Sequence, residues 1–174
     1  IRDRVKSEAY RAETYYMGLV DGRGMVNLYD GDIRVVTPEG KTFAQFPPRQ
    51  YMEHIAEHVE SWTYLKFPYL KKIGWRGFED GIESGIYCAT PLARLNVSDG
   101  FSTTKVQEYF EMFYETFGCE RVNGRYRPVH HRLATHWARL IEILYAAEHM
   151  LELVADPEIT SPNVRNIPER VKGI

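Results

Sequence analysis

The stretch from Tyr87 to Gly100, YCATPLARLNVSDG, decides how this 174-residue chain is interpreted. It ends a region, residues 62–101, in which glycines recur but apolar residues follow neither a helical nor a strand period. Loops longer than about 15 residues are uncommon inside compact domains unless they are functional. Because Pro91 restricts the backbone and Leu92 and Leu95 are apolar, we predict an extended, proline-stiffened segment that packs against a core.

The N-terminal part of the chain has the pattern of strands. Between residues 14 and 46, short runs rich in β-branched and aromatic residues (TYYMGLV, MVNLY, IRVVT and TFAQF) alternate with turn sequences that contain glycine and aspartate. This alternation is typical of strands joined by tight turns. It predicts an antiparallel meander of three or four strands over 14–46.

Apolar spacing predicts two helices on either side of the opening stretch. The first covers 48–60, where apolar residues recur at every fourth position: Tyr51, Ile55 and Val59. The second covers 102–117 and has its own apolar face: Val106, Phe110, Phe113 and Phe117. Thr104 and Gln107 form a possible capping box at its start, and Gly118 is a stop signal at its end.

The longest predicted helix covers 132–154. Its apolar residues follow one another at spacings of four and three: Leu133, Trp137, Leu140, Leu144, Ala147, Leu151 and Val154. Ile143 and Met150 lie off this stripe, and a helix that is apolar on several sides is normally buried on several sides. The sequence therefore predicts an α+β fold, with an N-terminal antiparallel meander and a helix-dominated part, in one domain over 1–174.

Composition excludes several classes of protein. The chain has 22 basic and 24 acidic residues, a formal net charge of −2, and no continuous lysine and arginine run along a helical face. This balance argues against nucleic acid as a partner. The chain also lacks an uninterrupted apolar run of about 18 residues that could span a bilayer. We therefore expect a cytoplasmic protein without a membrane span.

The sharpest local motif is His54-Ile-Ala-Glu57-His58, which has the form H-x-x-E-H. On a helix, histidines one turn apart could hold zinc while the glutamate activates water. No third ligand is evident in the sequence, so the charged face of an amphipathic helix is the favoured interpretation. A stand-alone zinc hydrolase stays open as one alternative function, and a metal-free interaction domain as another.

Two further groups of side chains could carry chemistry. A basic loop could meet phosphate or an acidic partner surface, although an ordinary surface loop is favoured. It contains Arg121, Arg125, Arg127, His130, His131 and Arg132. Cys88 and Cys119 are 31 positions apart, so neither belongs to the closely spaced pairs that hold zinc or iron-sulfur clusters. We expect two buried, inert thiols.

The segment YCATPLARLN, residues 87–96, resembles the Y-x-x-G-P-L-A-R-L-N signature of nickel-iron hydrogenase large subunits. The similarity is to the cytosolic types that serve methyl viologen, NAD or a heterodisulfide reductase. Four further blocks extend it over nearly the whole chain: YYMGLVD at 15–21, SWTYLKFPYLKK at 61–72, ATHWARLIEILYAAE at 134–148 and DPEITSPNVRN at 156–166. Thr90 stands where this family commonly has glycine, which affects the local backbone.

The resemblance implies a catalytic centre outside this chain. The family holds its nickel-iron centre with two C-x-x-C pairs, neither of which occurs here, and its active-site arginine lies in an A-P-R segment beyond the end of this sequence. We therefore expect no cofactor within 1–174, a nickel-iron centre in the parent protein, and an internal fragment that is inactive alone. The parent would oxidise hydrogen reversibly and pass electrons to its partner, an iron-sulfur small subunit.

The resemblance assigns no catalytic, cofactor-binding or metal-binding residue to this chain. It instead implies a set of scaffold residues near the active-site wall: Pro91, Leu92, Arg94, Asn96, His136, Trp137 and Arg139. Arg94 and Asn96 would make fixed hydrogen bonds, and Leu92 would pack against the core. Because the helices over 102–117 and 132–154 are apolar on more than one face, the isolated segment is also expected to self-associate.

Overall fold

A computed structural model describes residues 2–162 of the chain, and the α+β class predicted from the sequence is confirmed. The helices are α1 (Arg2–Lys6), α2 (Tyr51–His54), α3 (Pro91–Val97), α4 (Thr104–Thr116) and α5 (Ala134–Ala155). The strands are β1 (Tyr15–Val20), β2 (Asp32–Val36), β3 (Thr42–Phe46), β4 (Ile55–Val59), β5 (Lys66–Leu70), β6 (Tyr87–Cys88), β7 (Arg121–Val122) and β8 (Arg125–Tyr126). Within residues 2–162, no helix is long and apolar enough to cross a membrane.

The main sheet contains the predicted N-terminal meander. Its strand order is β3-β2-β1-β6, and β1, β2 and β3 pair antiparallel. The run MVNLY does not form a strand, because Met25 and Val26 make only isolated bridges. The fourth strand is β6, which pairs with β1 in parallel and places Tyr87 opposite Tyr15. The sheet therefore joins the N-terminal meander to the stretch Tyr87–Gly100.

The predicted helix over 48–60 is wrong beyond its first turns. A 3-10 turn (Pro48–Gln50) is followed by α2, and from Ile55 onward the chain is the strand β4. β4 pairs antiparallel with β5, with Val59 opposite Lys66. Ile55 and Val59 are β-branched and suit a strand better than a helix. The hairpin partner, which local spacing does not reveal, decides the structure here.

The region 62–101 contains β5, β6 and α3, so the predicted extended segment at its end is wrong. Thr90 is the N-cap of α3, and its hydroxyl accepts a hydrogen bond from the Ala93 backbone N–H at 3.4 Å. Pro91 occupies the first helical position, where a missing N–H costs nothing and the fixed φ already suits a helix. The proline therefore begins a helix, and Thr90 at the position where glycine was expected supplies its cap.

The short helix α3 lies between the main sheet and the two long helices, α4 and α5. Ala93 and Val97 face a small cluster of buried residues from β1 and β2. Leu92 and Leu95 belong to the main core, which α4 and α5 complete. A Cβ atom built on Gly18 of β1 would lie 2.8 Å from the Val97 Cγ2 atom. Glycine at this position therefore allows the close approach of strand and helix.

Helices α4 and α5 form near their expected positions, at 104–116 and 134–155. The predicted capping box of α4 is wrong, because the N-cap is Thr103 and its side chain makes no capping hydrogen bond. The Gln107 side-chain oxygen instead accepts a hydrogen bond from the Phe101 backbone N–H at 2.8 Å. This bond fixes the turn that joins α3 to α4.

The buried face of α5 differs from the predicted stripe. Its buried residues are Ala134, Ala138, Ile141, Glu142 and Tyr145. Trp137 and Leu144 are only partly buried against this core, and Leu140 is 60% exposed. Apolar residues surround α5, so the stripe predicted from the large side chains is displaced from the face that packs on the core. On that face, Ala134 and Ala138 allow close packing.

We predict that Ile141→Ala lowers the free energy of unfolding by about 2–5 kcal/mol, because truncation of this buried side chain leaves a cavity in the core. The neighbouring control Leu140→Ala should change it by about 0.5 kcal/mol or less, because that side chain faces solvent. Urea unfolding followed by far-UV circular dichroism measures both values. Equal losses in the two variants would contradict this orientation of α5.

Candidate functional site

Asn96, near the end of α3, is fully buried. Its Oδ1 atom accepts hydrogen bonds from the Tyr114 hydroxyl at 3.0 Å and from the Val129 backbone N–H at 3.1 Å. Its Nδ2 atom donates to the Val129 carbonyl at 3.0 Å. One amide side chain therefore connects α3 with α4 and with the segment that leads into α5.

Arg94, two residues before Asn96 on α3, binds the carboxylate of Glu142 on α5. The Arg94 Nε and Nη2 atoms donate to the two carboxylate oxygens at 2.5 and 2.9 Å. The Glu142 side chain is only 5% exposed. Arg139, on the exposed face of α5, donates a hydrogen bond to the same carboxylate over a distance of 3.4 Å. A bidentate arginine–carboxylate pair fixes both the distance and the orientation of the two groups. The pair therefore sets the register of α3 on α5.

The structure brings some of the predicted scaffold residues together and leaves others apart. Arg94 and Arg139 meet at Glu142, while Pro91 and Leu92 are buried on α3. Trp137 packs edge-on against Phe113, with ring centroids 5.2 Å apart. His136 lies exposed on the first turns of α5. Glu142 escaped the sequence analysis, although an acidic residue within the apolar run LIEILY was a signal for a buried ion pair.

We predict that Arg94→Met lowers the free energy of unfolding by about 2–4 kcal/mol, because it leaves the Glu142 carboxylate buried with only a solvent-exposed partner. The control Arg139→Gln should cost about 1 kcal/mol or less, because most of that side chain is in solvent. Adding Glu142→Met to Arg94→Met should restore most of the loss by removing the unpaired charge. A double variant no more stable than Arg94→Met, measured by urea unfolding, would contradict this explanation.

A second polar contact lies beside β1. The Tyr16 hydroxyl is 2.7 Å from the His130 Nδ1 atom and 3.1 Å from the Ala12 carbonyl. Burial raises the pKa of Tyr16 and lowers the pKa of His130. Both groups are therefore neutral at pH 7, and the hydroxyl can donate while the imidazole nitrogen accepts. The contact ties the segment before β1 to the segment before α5.

The His54-Glu57-His58 motif does not form a metal site. The His54 ring stacks on Phe46 with a centroid distance of 3.8 Å. The His58 ring stacks on Trp75 at 4.4 Å, and Glu57 forms an ion pair with Lys66 at 2.8 Å. Because the chain changes from helix to strand at residue 55, the two histidines do not lie one helical turn apart. The zinc hydrolase alternative is therefore not supported.

The two cysteines are free and half-buried. Burial raises the pKa of the Cys88 thiol, an effect that the nearby Arg132 charge opposes. Burial alone raises the pKa of the Cys119 thiol to about 11. A thiol must lose its proton to act as a metal ligand or nucleophile. Both cysteines are therefore weakly reactive at neutral pH.

We predict that Cys119, measured in a Cys88→Ala variant, reacts with iodoacetamide with a pH midpoint near 11, since burial raises its pKa to about that value. At pH 8.5 its rate should be about tenfold below that of an unfolded thiol, because the smaller thiolate fraction outweighs its greater nucleophilicity. The same variant in denaturant is the control and should show a midpoint near the ordinary pKa of about 8.5. A folded-state midpoint equal to the control would contradict the buried placement.

The architecture built around α3 matches the fold of a hydrogenase chain. The crystal structure of an NAD+-reducing NiFe-hydrogenase in the H2-reduced state contains a chain that superposes on this one with a TM-score of 0.76 and 29% sequence identity. The superposition covers 97% of this chain and 35% of that chain. No protein-family model matches the sequence.

Sequence comparison gives relatives from the same class of enzyme. An iron-sulfur subunit of the F420-non-reducing hydrogenase of Archaeoglobus profundus is 42% identical over 161 residues, which are 92% of this chain and 32% of the relative. A vhu subunit of the F420-non-reducing hydrogenase of Methanococcus voltae is 39% identical over 88% of this chain and 33% of its own length. The NAD-reducing hydrogenase HoxS subunit beta of Cupriavidus necator is 36% identical over 82% of this chain and 26% of its own length. The chain thus spans about a third of the length of the first two relatives.

These relatives correct the assignment made from the sequence motifs. The name of the Archaeoglobus profundus relative describes an iron-sulfur subunit, and none of these three relatives' names describes a nickel-iron large subunit. The assignment to the middle of a nickel-iron large subunit was therefore wrong, and nickel dependence does not follow for this chain. The expected partner, an iron-sulfur small subunit, was wrong as well, because an iron-sulfur subunit is a relative of this chain.

The expectation about cofactors is corrected by the same relative, since its name implies iron-sulfur clusters rather than a nickel-iron centre. Such a cluster usually needs four cysteine thiolates, whereas this chain has two cysteines. Within residues 2–162, no three His, Cys, Asp or Glu side chains lie close enough together to hold a metal ion. The described residues therefore do not fit a complete cluster site by themselves.

Proposed function

We propose that the chain is part of a subunit of a cytoplasmic hydrogenase complex that uses iron-sulfur electron transfer. The observation that carries this proposal is the superposition of 97% of the chain on a hydrogenase chain with a TM-score of 0.76. The 42% identity to a hydrogenase iron-sulfur subunit supports it independently. The reaction of the complex would be electron transfer linked to H2, and its other partners would be further hydrogenase subunits.

Within such a subunit, residues 1–174 would act as one structural unit inside a longer polypeptide. Its contribution would be a rigid framework, because α3 is fixed to the sheet by packing at Gly18 and to α5 by the Arg94–Glu142 pair. The two protonated thiols do not complete a four-thiolate set, so any cluster ligands beyond them would come from other parts of the complex.

The proposal is tested with the complete coding sequence, carrying an affinity tag and expressed in its native host. The tagged polypeptide should co-purify with other hydrogenase subunits, and the complex should reduce a viologen dye with H2 as the electron donor. Arg94→Met should greatly reduce both the yield of complex and the H2-dependent activity, because it loosens the framework. The matched control is Arg139→Gln, which removes a positive charge one helical turn from Glu142 on α5. This variant should retain both the yield of complex and the H2-dependent activity.

A tagged polypeptide that purifies without other subunits and without H2-dependent dye reduction would overturn the proposed function. If Arg139→Gln and Arg94→Met lost activity equally, the complex would still be a hydrogenase, but the role of the α3 framework would be rejected. Iron and acid-labile sulfide are measured on the same preparation, and their absence would reject the iron-sulfur assignment.

A further inference from the structure

A cleft of about 610 Å³ lies between the β2–β3 turn and the β7–β8 hairpin. The first turn lines it with Glu39, Gly40, Lys41 and Thr42, and the hairpin side lines it with Val122, Asn123, Arg125, Tyr126 and Arg127. Its volume lies within the range of small-molecule sites, roughly 300–1,000 Å³. No part of the α3 framework lines this cleft.

Arg125 is held in place at this cleft. Its Nε atom donates to the Asp99 carboxylate at 3.0 Å, and its Nη1 atom donates to the Thr42 hydroxyl at 3.2 Å and to the Gly40 carbonyl at 3.4 Å. The side chain is only 15% exposed. A guanidinium fixed in this way loses little conformational entropy when it binds an anion.

The charge of Arg125 is not balanced by its carboxylate partner. Asp99 also accepts hydrogen bonds from Arg34, whose side chain is 9% exposed, at 3.2 Å. One carboxylate therefore serves two guanidinium groups. Arg121 donates to the Asp99 backbone carbonyl, which places a third guanidinium on the same residue. The positive charge of the arginines around Asp99 therefore exceeds the single negative charge of its carboxylate.

Two exposed cations, Lys41 and Arg127, line the cleft with Arg125. Glu39 is the single acidic residue among the lining residues. A hydrogen bond from the Thr37 hydroxyl is the largest cause that lowers the pKa of Glu39, so its negative charge persists at neutral pH. Three cations against one carboxylate leave the lining with a net positive charge. Arginine and lysine in this arrangement are the groups that proteins use to bind phosphate.

We propose that this cleft binds a phosphate-bearing small molecule, with Arg125 as the fixed contact and Lys41 and Arg127 as mobile contacts. The ligand chemistry is a multivalent phosphate anion, either inorganic or part of a phosphate ester. A compact cleft bounded by two turns favours a small ligand over an extended acidic peptide. The site is separate from the proposed hydrogenase framework and does not depend on that assignment.

The experiment titrates the 174-residue chain with sodium pyrophosphate at constant ionic strength and follows the ¹⁵N–¹H spectrum. Backbone amides of Gly40, Lys41, Gly124 and Arg125 should shift together and saturate. The double variant Lys41→Gln/Arg127→Gln should bind about tenfold more weakly, because two of the three cationic contacts are lost. The matched control Lys71→Gln/Lys105→Gln removes two exposed positive charges elsewhere and should bind like the original chain.

Equal weakening in both double variants, or shifts spread over all basic surfaces, would overturn the proposal by showing non-specific charge attraction. A short poly-glutamate peptide that binds the cleft when pyrophosphate does not would overturn it in favour of an acidic peptide. A parallel titration with a nucleoside diphosphate separates the two sources of phosphate. Tighter binding than pyrophosphate would indicate a phosphate ester, and equal binding would indicate the inorganic anion, each within the proposed class.

Discussion

The carboxamide of Asn96 is the interaction on which the arrangement of the helices depends. Its oxygen accepts two hydrogen bonds and its nitrogen donates one, and all of them are inside the core. Each buried polar group left without a partner costs about 1–3 kcal/mol. The position of the Val129 backbone and that of the Tyr114 hydroxyl are therefore fixed relative to α3. The Arg94–Glu142 pair adds a second constraint from the same helix. The seven residues of α3 therefore fix the position of the sheet relative to α4 and α5.

Local patterns predicted the parts of the fold that local physics determines. The strands β1, β2 and β3 follow each other through tight turns, and α4 has a clear apolar face with a glycine stop, so both were visible in the sequence. The strand β4 was missed because Ile55 and Val59 fit a helical and a strand spacing alike, and only pairing with β5 separates the two. The phase of α5 was missed because its apolar residues surround the helix.

The candidate site was predictable only in its side-chain types. Arg94 and Asn96 were identified from a motif, but their partners Glu142 and Val129 lie 48 and 33 positions away in the sequence and become neighbours only in the fold. The motif encodes a helix cap, an ion pair and a buried amide, which are features of architecture. The motif is therefore shared with relatives from hydrogenases, and the subunit and cofactor inferred from it were wrong. The basic loop with Arg125 and Arg127 was recognised as a possible phosphate contact, but Lys41, which lines the same cleft from the β2–β3 turn, was not, because it is distant in the sequence.

The parallel pairing of β6 with β1 has a consequence for how the chain reaches this structure. The Thr14 hydroxyl binds the Ile86 carbonyl across 72 positions of sequence, next to the residues where these strands pair. Contacts between such distant positions form late and slowly, because the intervening loop must be closed before they gain any free energy. The hairpins β1–β2 and β2–β3 can form much earlier. During folding, β1 therefore presents an open edge that can pair with other chains until β6 and α3 cover it.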